Sequence, residues 1–261
     1  MTPTDAQIEQ LRAQITAHPS YRLAEDDLEF LESDAARAVR LALEFHRTET
    51  YLQAAGIEST VVVFGSARVP APESGLATPR QVGYYEEGRR FGFELSSKAL
   101  HTQGCHQLVV ATGGGPGLME AANRGAYEAG APSIGFNIRL PHEQFPNPYI
   151  TPGLAFSFRY FALRKMHFMF RARALVALPG GFGTLDEVFE ALNLVLTRTI
   201  EVMPIVLVGR EYWQRVLDLD YLATEGFIDL ADQELVHLTD SGSEAAEFVL
   251  ARCGCDKPPP P

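Results

Sequence analysis

Short continuous apolar runs alternate with helical periodicities along most of this chain. Thr60-Val61-Val62-Val63-Phe64, Leu108-Val109-Val110-Ala111, Ser133 to Ile138, Ala174-Leu175-Val176-Ala177-Leu178, Pro204 to Val208 and Val236 to Thr239 are rich in β-branched and small apolar residues. Runs of this kind suit parallel strands buried on both faces, where strict apolar–polar alternation is absent. Ala155 to Phe158 predicts a shorter strand. Helical spacing predicts Tyr84–Gln103, a segment through Leu118, Ala121, Ala122 and Ala126 closed by Gly130, Tyr160–Arg173, Glu211–Ala223 and Glu244–Arg252. Leu185, Val188, Phe189, Leu192 and Leu196 form the expected buried stripe of one more helix. Residues 69–80, rich in Pro, Gly and Ala, and the segment Pro141–Pro152, with its four prolines, read as loops.

Residues 1–57 follow a different pattern. Asp5 to Ala17 predicts a short helix ended by His18-Pro19, and Ser33 or Asp34 caps a longer one in which Ala38, Leu41, Ala42, Phe45 and Leu52 recur until Gly56. The expected organisation is a helical extension over 1–57, a domain over 58–252 and a disordered tail over 253–261. Repeated β-α units predict the α/β class: a Rossmann-like, doubly wound parallel sheet with helices on both faces. Such sheets take ligands at the carboxyl ends of their strands.

Composition narrows the partners. Of 261 residues, 46% are hydrophobic and 21% charged, with a formal charge of −11. That balance argues against nucleic-acid binding, which needs a basic footprint, but a local arginine cluster can still hold a small anion. Three cysteines, Cys105, Cys253 and Cys255, form no disulfide framework, and neither a signal peptide nor a transmembrane run is present, so a cytoplasmic setting is expected.

The candidate chemistry sits in three loops that end predicted strands: Gly65-Ser66-Ala67-Arg68, Thr112 to Gly117, and Pro179-Gly180-Gly181-Phe182-Gly183-Thr184. The middle loop matches neither the dinucleotide pattern, since its last position is Leu118, nor a nucleoside-triphosphatase P-loop. Pro116 suits a first helical position. The last loop runs from strand to helix start, which points backbone N–H groups and a positive helix end at an anionic ligand. Thr184-x-x-Glu187 reads as a capping box. Equally, a carboxylate beside a phosphate site activates water or stabilises an oxocarbenium ion. Glu190, one turn on, shares the face of Glu187, and neighbouring carboxylates raise one pKa. Arg164, His167 and Arg171 lie on one face of their predicted helix, either as anion ligands or as a solvated basic face. Phe145, Tyr149, Phe156 and Phe158 are base-stacking candidates or ordinary core.

Taken together, Thr112-Gly113-Gly114-Gly115-Pro116-Gly117-Leu118-Met119-Glu120, then Arg164-Lys165, then P-G-G-x-G-T-x-x-E over Pro179–Glu187, resemble the LOG ("Lonely guy") family of nucleoside 5′-monophosphate phosphoribohydrolases. Members were long labelled lysine decarboxylases. The resemblance covers roughly residues 58–250, and Leu140 to Asn147 looks like the longer bacterial members. It implies that Arg164 orients the nucleotide, that Glu187 is the catalytic carboxylate, and that Gly180, Gly181, Gly183 and Thr184 hold the 5′-phosphate. Gly65, Ser66, Arg68, Gly114, Gly115, Gly117, Glu120, Lys165 and Glu190 complete the substrate-binding candidates. The implied reaction releases a free base and ribose 5-phosphate from AMP or an N6-modified AMP, needs no metal or cofactor, and occurs in a homodimer or larger homo-oligomer. Two rivals remain: a protein of the same fold that binds a nucleotide or nucleotide-like cofactor without cleaving it, and a pyridoxal-phosphate decarboxylase. For the latter, Lys165 is the one of three lysines near the site.

Overall fold

The computed structural model describes residues 3–101, 108–141 and 145–253. The expected tail beyond Cys253 and residues 142–144 of the proline-rich loop lie outside the described residues. The chain divides into two compact units, one ending at Arg47 and one beginning at Thr48.

The first unit holds α1 (Asp5–Ala17), α2 (Leu28–Glu32) and the start of α3 (Arg37–Ala54). Thr4 caps α1 in a reciprocal box with Gln7, whose side chain accepts from the Thr4 N–H at 2.8 Å. The sequence pattern missed α2, a single turn started by Asp27, whose carboxylate accepts from the Phe30 N–H at 3.1 Å.

The second unit continues with β1 (Ser59–Phe64), α4 (Pro79–His101), β2 (Leu108–Thr112), α5 (Leu118–Glu128), β3 (Ser133–Ile138), β4 (Ala155–Phe158), α6 (Phe161–Phe170), β5 (Ala172–Ala177), α7 (Phe182–Leu196), β6 (Ile205–Val208), α8 (Arg210–Val216), α9 (Leu219–Thr224), β7 (Val236–Thr239) and α10 (Gly242–Arg252). All seven described strands are parallel, in the order β4-β3-β2-β1-β5-β6-β7. This is the expected Rossmann-like, doubly wound sheet. The order reverses between β1 and β5, so a crevice opens at their carboxyl ends, where adjacent connections leave toward opposite faces.

The central strands β1, β2 and β6 are buried on both faces, whereas the edge strand β4 alternates buried and exposed residues and β7, at the other edge, is mostly half-buried. Val61 and Val63 join Val110, Val176 and Val206 in a core closed by Phe91 and Leu95 of α4, Leu118 and Ala122 of α5, and Val249 of α10. Toward α6, Phe64 meets Phe168 at a ring separation of 4.8 Å, and Phe136 meets Phe168 at 5.3 Å. Phe156 and Phe158 are buried and belong to the core; Phe136 lies 5.8 and 5.9 Å from their rings.

Four local expectations are corrected. Pro116 is not helical: α5 starts at Leu118 after Gly117, whose φ of 76° breaks the run. The helix expected to reach Arg173 stops at Phe170, because Ala172 already pairs with Thr60. The helix expected over Glu211–Ala223 is two, divided at extended Leu217; Asp218 starts the second by accepting from the Tyr221 N–H at 2.9 Å. On α7 the buried stripe is Thr184, Glu187, Val188, Ala191, Leu192 and Val195, while Phe189 and Leu196 are exposed. Among the described residues no helix is long and apolar enough to cross a membrane.

Candidate active site

The three strand-end loops converge at the β1–β5 reversal. Ser66 ties them together: its N–H donates to the Pro179 carbonyl at 3.0 Å and its carbonyl accepts from the Leu118 N–H at 3.0 Å. A cleft of about 630 Å³ opens there, lined by Gly65, Ser66 and Arg68, by Gly113 and Asn137, by Arg164, and by Gly181 through Glu187.

The two glycine loops differ in what surrounds them. Thr112 to Gly117 is filled with protein contacts. The Gly114 N–H donates to Thr112 Oγ1 at 2.9 Å, and its carbonyl accepts from the Asn147 N–H at 2.9 Å and from Asn137 Nδ2 at 3.1 Å. The Gly115 carbonyl accepts from Asn147 Nδ2 at 3.1 Å. A Cβ on Gly117 would lie 2.3 Å from the Ser66 carbonyl oxygen. Gly114, Gly115 and Gly117 therefore stand behind the cleft, and only Gly113 of this loop lines it. Glu120 also stands apart, accepting from the Tyr85 hydroxyl at 2.9 Å.

The Pro179–Thr184 loop is open on its cleft side. Gly180 leaves room for Thr184, whose Oγ1 would lie 2.1 Å from an added Cβ, and its carbonyl accepts from the Tyr212 hydroxyl. Gly181 and Gly183 have no atom within 4 Å of where a Cβ would stand. The Gly181 carbonyl accepts from the N–H groups of Thr184 and Leu185 at 3.0 and 3.1 Å, which makes Gly181 the cap and Phe182 the first helical residue. The N–H groups of Phe182 and Gly183 have no intrahelical acceptor and carry the positive end of the helix dipole. Arg68, exposed and lining the same cleft, with no ion-pair partner among the described residues, adds a full positive charge.

The capping-box expectation for Glu187 is overturned by this helix start. With Gly181 as cap, Thr184 lies within the first turn and Glu187 in the second, beyond reach of the cap N–H. Glu187 is 5% exposed, and its Oε2 is buried with no hydrogen-bond partner among the described residues. Burial pushes its carboxyl up to about 7, against the pull of Lys165, while Glu190 adds to the rise. Arg164 faces it from α6. Its Nε donates to the Phe136 carbonyl at 2.6 Å and its Nη2 to the Gly113 carbonyl at 3.4 Å, and the guanidinium lies 5.1 Å from the Phe168 ring centre. Burial lowers the pKa of Arg164 from its usual value, and Glu187 counteracts that fall.

His167 and Arg171 do not join Arg164. The Arg171 Nη atoms reach the Glu49 carboxylate at 2.6 and 2.8 Å, its Nε donates to the Ile57 carbonyl at 3.0 Å, and His167 Nδ1 lies 3.2 Å from Glu49 Oε1. These two fasten α6 to the chain entering β1. Lys165 and Glu190 line a second cavity of about 870 Å³ rather than the cleft. Lys165 Nζ lies 2.8 Å from Asp186 Oδ2, 2.9 Å from Glu190 Oε2 and 3.8 Å from Glu187 Oε2. Desolvation draws this ammonium down, but the hydrogen bonds to Asp186 and Glu190 win and hold it above the usual lysine range. A Schiff base needs a free neutral amine, so the described residues do not fit pyridoxal phosphate. Lys98 is no alternative, lying on α4 beside Glu94 and Glu247, at 3.9 and 3.5 Å.

Sequence reasoning missed Asp186, Asn137, Phe161 and Phe182 as cleft residues. Asp186 and Phe182 stood inside the motif already singled out, and Asn137 lies in the strand expected over Ser133 to Ile138. The expected stacking aromatics do not line the cleft: Phe145 is exposed and Tyr149 packs on Tyr127 at 5.7 Å. Phe161, 55% exposed, and Phe182, 92% exposed, stand on its rim instead.

A family model described as "Possible lysine decarboxylase" matches residues 119–249. A rice protein (Oryza sativa subsp. japonica) named probable cytokinin riboside 5′-monophosphate phosphoribohydrolase LOG4 is 31% identical over 140 residues, which are 52% of this chain and 59% of that protein. The match thus spans less than two thirds of that relative's length. Arabidopsis thaliana LOG1, a cytokinin riboside 5′-monophosphate phosphoribohydrolase, is 27% identical over 179 residues, 67% of this chain and 78% of its own. The X-ray structure of TM1055, a structural genomics target, is 24% identical, covers 74% of this chain and 99% of its own, and superposes with a TM-score of 0.53, which shows the shared fold. Because the family model spans half of its length, the chain belongs to the family described as possible lysine decarboxylases, the LOG family.

Proposed function

We propose that the chain hydrolyses the N-glycosidic bond of a purine nucleoside 5′-monophosphate, AMP or an N6-modified AMP, to the free base and ribose 5-phosphate. The observation that carries this reading is Glu187: a buried carboxylate with a raised pKa, on the same helix whose open N-terminus suits a phosphate. The N–H groups of Phe182 and Gly183, with Arg68, hold the 5′-phosphate, and Thr184 and Gly180 shape the turn that presents them. Binding energy at the phosphate then orients the anomeric carbon. Arg164, fixed by two strand-end carbonyls, orients the nucleotide. As the base departs, positive charge develops on the ribose, and ionised Glu187 stabilises it or takes a proton from the attacking water. A carboxyl that titrates near neutrality suits proton transfer at physiological pH. The relatives' names, which specify cytokinin ribotides, support the same substrate class.

The deciding experiment incubates purified protein with AMP and with N6-prenylated AMP and separates the products. Absence of base release from both sinks the proposal.

A second reading, binding without cleavage, is favoured by the burial of Glu187 Oε2, which has no hydrogen-bond partner among the described residues. It requires a nucleotide complex recovered intact after long incubation. The reading further includes a cytoplasmic setting and a homo-oligomer, the latter supported by the exposed apolar side chains Met166 and Phe170 of α6 and Phe189 of α7. Sedimentation at micromolar concentration tests it, and a monomer overturns it.

A further inference from the structure

Three carboxylates and one ammonium meet where the cleft and the second cavity back onto each other. Lys165 Nζ contacts Asp186 and Glu190 directly and lies 3.8 Å from Glu187 Oε2. It reaches them from the second cavity, which Lys165 and Glu190 line and Glu187 does not. A lysine so placed makes a poor phosphate ligand, because its charge is already committed to Asp186 and Glu190 and it lines the second cavity rather than the cleft. Its nearness to an otherwise unpartnered buried carboxylate oxygen gives it a different part to play.

We propose that Lys165 is a positioning residue that acts through Glu187, holding that carboxylate ionised and oriented from behind, rather than a residue that touches the nucleotide. The proposal rests on Glu187 being the reacting carboxylate, as argued above. The charged groups acting on Glu187 are Arg164 and Lys165 from α6, and Asp186 and Glu190 from its own helix. Arg68, from the loop after β1, lines the same cleft. Arg164 is anchored to the Phe136 and Gly113 carbonyls. Lys165 is therefore the cation whose loss leaves Glu187 facing two like charges with one remaining counter-charge, and the proton then binds Glu187 more tightly.

The test is a ¹³C NMR titration of carboxyl-labelled protein, with the Glu187 signal assigned by its absence in E187Q, run beside the pH profile of AMP hydrolysis. In K165M the Glu187 midpoint rises by about one pH unit, and the acid limb of kcat/KM moves up with it. Activity at pH 6 then falls about tenfold and recovers as pH rises. K165R, which keeps the charge, keeps the midpoint low. An unmoved midpoint in K165M overturns the proposal, as does a pH-independent rise in KM, which marks a phosphate ligand. If K165M does not fold, E190Q carries the test: removing a like charge must lower the midpoint, and no change or a rise overturns it. Should the wild type release no base, the hydrolase reading fails, and the NMR titration still decides what Lys165 does to Glu187.

Discussion

Two glycine-rich loops stand side by side at the β1–β5 reversal, and they spend their glycines on different things. Thr112 to Gly117 uses them for the protein: Gly117 adopts φ 76° and lets the Ser66 carbonyl come close, while the carbonyls of Gly114 and Gly115 are taken by Asn137 and Asn147. In Pro179 to Thr184, nothing lies within 4 Å of where a Cβ on Gly181 or Gly183 would stand, and the proposed reading gives that space to the phosphate. A glycine kept for packing and a glycine kept for a ligand look identical in a sequence. They separate when one asks what a methyl group would strike.

The largest expected effect lies on the helix leaving the open loop. E187Q should lower the rate of base release by about 10³-fold, within the range for loss of a general acid or base, while nucleotide binding persists; a rate within tenfold of wild type breaks the assignment. Next, G117A attacks the packed loop. It combines a left-handed conformation with a backbone clash and should cost about 3 kcal/mol of stability, read as a lowered Tm, and an unchanged Tm breaks the comparison from the other side.

A smaller effect reports the strain of burying Glu187. Its folded pKa of about 7 stands above its ordinary value of 4.5, so between these pH values the folded state binds more protons than the unfolded one. The carboxyl's favourable contribution is thus complete below about pH 4.5 and is lost as pH rises through about 7. Glutamine cannot ionise, so E187Q should gain roughly 1–3 kcal/mol relative to wild type at pH 8 and little at pH 4.5; urea titrations at the two pH values check this. The mildest change is G183A, which places a methyl group in the cleft without touching protein. It should raise the KM for AMP about tenfold, equivalent to ~1.4 kcal/mol, and leave stability unchanged or higher by roughly 0.5 kcal/mol. Loss of stability with unchanged KM would reverse the roles assigned to the two loops.

The strands were legible because buried parallel strands are written as uninterrupted apolar runs, and all seven expected strands form. The convergence of the loops followed from the α/β alternation. What the pattern hid was tertiary. Thr184-x-x-Glu187 fits a capping box in spacing, but Gly181 starts the helix earlier and leaves Glu187 buried. Arg164, His167 and Arg171 share a helical face, yet Arg164 lines the cleft while the other two meet Glu49. Lys165 sits beside Arg164 in sequence and opens toward the other cavity. For Glu187 the deciding residue was Gly181 at the start of its own helix; for the other two the partners came from other elements of the fold.

The reversal in strand order also governs how the cleft comes into being. Thr60 on β1 pairs with Ala172 on β5, so its two walls leave the ribosome at widely separated times. Until β5 emerges, β1 is an edge, with unpaired peptide groups along an apolar strand, a form prone to mispairing. Contacts of such long sequence separation close slowly. A chain halted before α7 would carry the packed glycine loop and lack the open one. The cleft is thus complete only once β5 and the start of α7 have been made, well after the packed loop, and a chain halted earlier lacks the open half of it.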